Sequence, residues 1–195
     1  MTLKLTVFYG SVRTKRAGIR AARFITEYAK SRGHDANLVD PIEVQLPLLD
    51  KMYKEYDPGE APPALEKLAE QVASSDGYIV VTGEYNHSPP PGLLNLLDHF
   101  LEQYFFKPSG IVSYSAGSFG GVRASIALRS LLAELGMSSI PSVLPVPRVQ
   151  DAFTEEGQPV DAAWNRRADR FMSEFEWYCR ALKEAREKDE PPGSN

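Results

Sequence analysis

The sequence predicts an α/β domain built on a doubly wound, five-stranded parallel sheet with the strand order 2-1-3-4-5. Short apolar runs rich in β-branched and aromatic residues alternate with longer stretches of helical period, the pattern of strands joined through crossover helices. Loops carrying glycine, proline and polar residues follow the first, third and fourth runs. Open parallel sheets collect their ligands at the carboxyl ends of strands, where the strand order reverses. At 195 residues and 43% hydrophobic, the chain can bury one core and has little left for a second. A single domain is expected over residues 1–188, with a disordered tail at 189–195.

The first strand is residues 3–9, Leu-Lys-Leu-Thr-Val-Phe-Tyr, stopped by Gly10. Residues 17–32 place Ile19, Ala22, Phe24, Ile25 and Ala29 at helical spacing, with Gly33 as a C-terminal cap. The loop between them holds Ser11, Arg13, Thr14, Lys15 and Arg16. An anion could meet backbone amides and the positive end of the helix there, and a solvated basic turn fits the same residues. No Gly-x-x-x-x-Gly-Lys-Ser/Thr pattern points to nucleoside triphosphate hydrolysis.

Residues 37–40 form a short second strand, and residues 41–62 lack periodicity and contain Pro41, Pro47, Pro58 and Pro62. Loops of that length in a compact domain are usually functional or mobile. Met52, Tyr53 and Tyr56 add apolar surface to it. A helix over residues 63–74 opens on proline and leads into the third strand, residues 77–82.

Residues 82–92, Thr-Gly-Glu-Tyr-Asn-His-Ser-Pro-Pro-Pro-Gly, then make a ledge. Three consecutive prolines fix φ and remove amide donors, so neither strand nor helix can run through them. An apolar helix is expected over residues 93–106, a fourth strand over 110–115 and a helix over 122–135 closed by Gly136. The loop at residues 115–121 has three glycines, Gly117, Gly120 and Gly121, which suit either a tight turn or a nest of amides facing a ligand. A fifth strand at residues 138–143 and a last helix at 161–188, with Trp164, Phe171, Phe175, Tyr178 and Leu182 at helical spacing, complete the domain.

Composition narrows the function. A net charge of −4 with Lys and Arg dispersed lacks the basic footprint of a nucleic-acid binder. The single cysteine, Cys179, forms no intramolecular disulfide, has no His or Cys cluster around it and lacks the Cys-x-x-x-x-x-Arg pattern of a phosphatase. No apolar run reaches the ~20 residues that span a bilayer. The N-terminus opens as a strand rather than a signal sequence, so a cytoplasmic protein without membrane contact is expected.

Three pieces of the chain resemble one known family. They are Gly10-Ser11-Val12-Arg13, Glu84-Tyr85-Asn86-His87-Ser88 with Asn95 and Asp98 downstream, and Ser115-Ala116-Gly117-Ser118-Phe119-Gly120-Gly121-Val122-Arg123-Ala124. In order and spacing they resemble the NAD(P)H-dependent FMN reductases of the flavodoxin-like superfamily, which also reduce quinones, azo dyes or metal oxyanions. The family usually carries Pro at Gly83 and a Pro-Gly pair at Pro90-Pro91. Leu46-Pro47-Leu48-Leu49-Asp50 resembles the family's Leu-Pro-x-x-Asp, which lies near the flavin edge and the partner subunit.

The resemblance implies a flavodoxin-like three-layer sandwich that binds FMN, with NADPH or NADH as co-substrate and a small-molecule electron acceptor. It assigns Ser11 and Arg13 to the phosphate, and Arg16 in the same loop is a further candidate. Gly83, Glu84, Tyr85 and Asn86 fall to the ring, and Ser115, Gly117, Ser118, Gly120 and Gly121 to its other edge. The flavin carries the chemistry, so no protein residue is expected to be catalytic and no metal is expected. One shared cleft implies ping-pong kinetics. A homodimer or dimer of dimers is expected through the helix at residues 93–106, whose apolar arc exceeds what one sheet covers, with Leu94, Leu101 and Phe105 at its margin. A flavodoxin-like electron carrier and a flavin-free interaction protein are the alternatives. Arg13, Lys15, Arg16 and Arg123 run against the acidic rim expected of a carrier.

Overall fold

The computed structural model describes residues 1–192. Residues 193–195, the end of the expected tail, lie outside the described residues. Five strands, β1 (Lys4–Tyr9), β2 (Asp35–Val39), β3 (Gly77–Gly83), β4 (Pro108–Tyr114) and β5 (Ser138–Val146), form one sheet in the order β2-β1-β3-β4-β5. Every pairing is parallel. The expected topology is the observed one.

Burial explains the legibility of the central strands. All seven residues of β3 and of β4 are buried, as continuous apolar strands covered on both faces must be. The edge strand β5 runs past its expected end at residue 143 to Val146 and carries Pro141 and Pro145, residues that an edge tolerates because one side needs no ladder donor.

Helices α1 (Ile19–Ser31) and α7 (Ala163–Lys188) cover one face, packing Phe24, Ile25, Phe171 and Phe175 over Leu5, Val7, Ile79 and Val112. The other face, with Phe8, Tyr78, Val80 and Ile111, lies under α3 (Pro63–Ser74), α4 (Pro91–Asp98) and α5 (Val122–Glu134). Helix α7 sits close. A Cβ on Gly77 would stand 2.6 Å from Cys179 Sγ, and one on Gly110 would stand 2.6 Å from Phe171 Cζ. Cys179 is fully buried there and burial pushes its thiol pKa up, consistent with a structural thiol. No helix among the described residues is long and apolar enough to cross a membrane.

Two expectations need correction. The segment 41–62 is not wholly irregular, since it holds α2 (Pro41–Val44) and a 3₁₀ turn, Tyr53–Glu55. The helix expected over residues 93–106 ends at Asp98 and is followed by a separate 3₁₀ turn, Glu102–Tyr104. Side chains take the carbonyls that a longer helix would use. His99 Nδ1 lies 2.6 Å from Asn95 O, and Tyr104 Oη donates to Leu97 O at 3.2 Å. Leu101, at φ −144° and ψ −70°, leaves the helical path. Leu101 then packs toward the core, and Phe105 lies over Gly136, where a Cβ would stand 2.4 Å from its ring. Neither residue extends the α4 face, so the apolar arc drawn through them is not a feature of the molecule.

Candidate functional site

The carboxyl ends of β1, β3 and β4 enclose a cavity of about 430 Å³, within the ~300 to 1,000 Å³ typical of ligand pockets. Of the residues expected to bind the cofactor, Ser11, Arg13, Arg16, Glu84, Tyr85, Asn86 and Ser115 line it. Lys15 and Ala116, from the same expected loops, line it as well, together with Tyr114 and Val149, which nothing in the sequence marks as ligand contacts. Gly83, Gly117, Ser118, Gly120 and Gly121, the other expected site residues, lie in the same loops and are not among the residues that line this cavity.

The loop after β1 is built for an anion. Among the described residues, none of the backbone N–H groups of Thr14, Lys15, Arg16, Ala17 and Gly18 donates to a protein acceptor. These amides precede the first turn of α1, where the helix dipole also favours negative charge. Arg13 and Lys15 are exposed and carry no ion pair among the described residues. Arg16 differs. Its Nη1 is bonded to buried Asp40 and donates to Ser11 O at 3.3 Å, and its guanidinium stands 5.5 Å over the Tyr9 ring. The Asp40 contact raises the pKa of Arg16.

The ledge after β3 folds into a two-residue hairpin. Tyr85 and Ser88 exchange both backbone bonds, at 2.9 and 3.0 Å, with Asn86 and His87 at φ 51° and 67°. Two successive left-handed residues are what a type I′ turn requires, and Asn accepts that backbone more readily than most residues. Tyr85 Oη lies 3.0 Å from Ser11 Oγ and ties the ledge to the phosphate-type loop. The Glu84 carboxylate accepts from Arg123 N at 3.0 Å, Ala124 N at 3.3 Å and Arg123 Nη1 at 3.3 Å. It caps the positive end of α5.

Tyr114 forms the floor. Its ring fills the gap between Gly18, where a Cβ would stand 2.1 Å away, and Gly83, where one would stand 2.9 Å away. The Pro more usual at Gly83 would thus meet this ring. Tyr114 Oη donates to Tyr9 Oη at 3.4 Å, and burial raises the pKa of both phenols, so both stay neutral. The loop after β4 is closed on itself by Ser115, whose Oγ donates to Gly117 O at 3.0 Å and accepts from Gly120 N at 2.9 Å. Gly120 and Gly121 both have positive φ, 63° and 73°. A Cβ on Gly121 would stand 2.6 Å from Tyr114 O, so this turn requires glycine.

Unpaired amides beside two cations, next to a slot walled by two turns, suit a phosphorylated planar ligand such as FMN. Comparison with known proteins agrees. A family model described as NADPH-dependent FMN reductase matches residues 3–151. The chain belongs to that family. Membership makes it an oxidoreductase using FMN and a nicotinamide nucleotide.

Among the reductase's relatives, an NAD(P)H-dependent FMN reductase of Pseudomonas aeruginosa is 37% identical over 106 residues, 51% of this chain and 57% of that protein. A quinone reductase of Escherichia coli is 31% identical over 134 residues, 67% of this chain and 69% of that protein. Among solved structures, the flavoenzyme NAD(P)H:(acceptor) oxidoreductase of Paracoccus denitrificans superposes with TM-score 0.71 at 21% identity, covering 91% of this chain and 99% of that one. A flavodoxin from Pseudomonas aeruginosa superposes with TM-score 0.54 at 19% identity, covering 93% and 99%. Those two likenesses establish the flavodoxin-like fold.

Proposed function

We propose that the reductase holds FMN across its three loops and passes electrons from NAD(P)H to a small-molecule acceptor such as a free flavin, a quinone, an azo dye or a metal oxyanion. The observation that carries this reading is the run of unpaired N–H groups from Thr14 to Gly18 beside Arg13 and Lys15. Together with Ser11, these groups would hold the phosphate by charge-assisted hydrogen bonds. Tyr85, Asn86, Ser115 and Ala116 would wall the ring. FMN, when bound, supplies the two-electron chemistry.

The protein's own contribution is orientation. Glu84 is committed to α5 and Arg16 to Asp40, so neither is available as a proton donor or phosphate ligand. The phenols of Tyr9 and Tyr114 stay protonated and neutral. With these four side chains committed, orientation and charge are what the wall supplies, and that suits hydride and electron transfer to a bound flavin.

A single cleft would serve nicotinamide and acceptor in turn, so ping-pong kinetics follow. Steady-state NADPH oxidation with a quinone varied against NADPH should give parallel double-reciprocal lines. Intersecting lines would require both substrates to be bound together.

We further propose self-association at the mouth of the site. Val12, Phe119, Val122 and Ile126 are exposed apolar side chains on the loops and helix that follow β1 and β4, and Leu48 is another on the segment tied to α4 through Asn95. The Asp98 carboxylate, part-buried on α4, has no hydrogen-bond or ion-pair partner among the described residues, and burial raises its pKa. The charge and apolar surface call for cover that one chain does not provide. Phe119→Glu with Ile126→Glu should lower the mass seen by light scattering. A monomeric wild-type protein at micromolar concentration would end this part of the proposal. A cytoplasmic site of action fits the use of a nicotinamide nucleotide.

A further inference from the structure

Arg16 stands among phosphate-seeking residues, yet its charge is already matched. Its guanidinium is bonded to Asp40, whose side chain is 3% exposed, and Arg16 itself is 17% exposed. The same Asp40 oxygen that meets Arg16, Oδ1, also accepts from Ile42 N at 3.0 Å and caps α2. The carboxylate is therefore a fixed anchor, set on the β2–α2 connection and reaching across to the loop after β1. Through Arg16 the anchor acts on Ser11, whose carbonyl accepts from the same Nη1. A planar trans peptide sends its N–H opposite to its C=O, so holding Ser11 O also fixes where the Val12 N–H points.

Turning Arg16 toward a phosphate would strand the buried Asp40 charge. Breaking a buried pair from one side is far costlier than keeping it, so Arg16 stays where it is while Arg13 and Lys15 supply the free charge. Tyr9 beneath the guanidinium limits its movement further.

We infer that Asp40 is a positioning residue for phosphate recognition: it holds Arg16 as a strut, and the strut keeps the loop carrying Ser11, Arg13 and Lys15 in its anion-binding shape. This rests on the reading that the loop takes the FMN phosphate. It differs from the usual expectation for such a loop, because it removes Arg16 from the phosphate ligands and brings in a carboxylate from another crossover.

The test compares FMN with riboflavin, the same flavin without the phosphate, by titrating apo-protein of the wild type, Asp40→Asn, Arg16→Gln and the double variant. The wild type should prefer FMN. Each single variant should lose about tenfold of that preference, roughly the worth of one charge-assisted contact, with riboflavin affinity unchanged. The double variant should lose no more than either single one, because both changes remove the same strut. An undiminished preference in Asp40→Asn overturns the inference. A stronger preference also overturns it, by showing Arg16 to be a ligand held in reserve, and so does an equal loss for both flavins. If Asp40→Asn does not fold, Arg16→Lys keeps the charge and loses the fork, and an undiminished preference there is equally fatal. A wild type that binds FMN no better than riboflavin would instead place the phosphate elsewhere and remove the underlying reading.

Discussion

Glu84 reaches from the end of β3 to the first turn of α5, where its carboxylate accepts from the backbone N–H of Arg123 at 3.0 Å. Two loops of the site are thereby fastened to one another, beside the cavity wall that Tyr85 and Asn86 present. Replacing Glu84 with Ala should cost about 1 kcal/mol of stability, the usual worth of a helix N-cap. It should also weaken FMN binding by loosening the ledge. Chemical denaturation and flavin titration of the same sample check both, and an unchanged flavin affinity would make the cap purely structural.

Arg13 and Lys15 should act separately from that cap. Arg13→Ala is expected to lose ~1.5 to 3 kcal/mol of FMN binding, the value of a hydrogen bond to a charged group, with Lys15→Ala acting in the same direction. Both losses should shrink as salt is raised, since the two side chains are exposed. Isothermal titration at low and high ionic strength is the measurement, and salt-independent losses would argue against a charge effect.

Gly18 and Tyr114 are a fitted pair. Gly18→Ala has no backbone conflict, since its φ is −63°, but its Cβ would press on the Tyr114 ring at 2.1 Å. Overpacking of this kind costs typically ~1 to 3 kcal/mol. In a Tyr114→Ala background the same Gly18→Ala change should be nearly neutral, and thermal unfolding of the four proteins gives the cycle. Equal penalties in both backgrounds would place the strain elsewhere.

At the opposite end of the sheet, Glu176 accepts from Arg32 Nη2 at 3.0 Å and stands 3.0 Å from His34 Nε2. Burial alone would push its pKa up, but the Arg32 and His34 contacts outweigh it and bring it down to about 2. A carboxyl depressed in the folded state contributes stability above its unfolded pKa, ~4.3 for Glu, and loses it as pH falls. The stability gap between wild type and Glu176→Gln should be constant near neutrality and shrink as pH drops from about 4.5 toward 2. A gap that does not change over that window would mean the contacts contribute nothing electrostatic.

The fold was legible where residues obey one period for one reason. β3 and β4 announce themselves because both faces are buried, and α7 because its aromatic stripe has one sheet to cover. The helix after the prolines is shorter than its sequence suggests because Phe100, Leu101, Tyr104 and Phe105 keep a helical spacing after the backbone has left the helix. Only the contacts of His99 and Tyr104 reveal the break.

The site was legible as loops and less so as roles. Ser11, Arg13, Tyr85, Asn86 and Ser115 meet at one cavity. Arg16 and Glu84 look like ligand residues in the sequence, and their tasks are set by partners 24 and 39 positions away. Tyr114 read as the end of a strand. Its role as the floor depends on space left by Gly18 and Gly83, residues whose common purpose no local pattern shows.

Titration of the purified apo-protein with FMN, followed by anaerobic addition of NADPH while the visible spectrum is recorded, tests whether the three loops make a reductase. The expected result is saturable binding of one FMN per chain, and loss of the oxidised flavin absorbance when NADPH is added. A protein that binds no FMN, or one whose bound flavin is unaffected by NADPH and NADH alike, would contradict it.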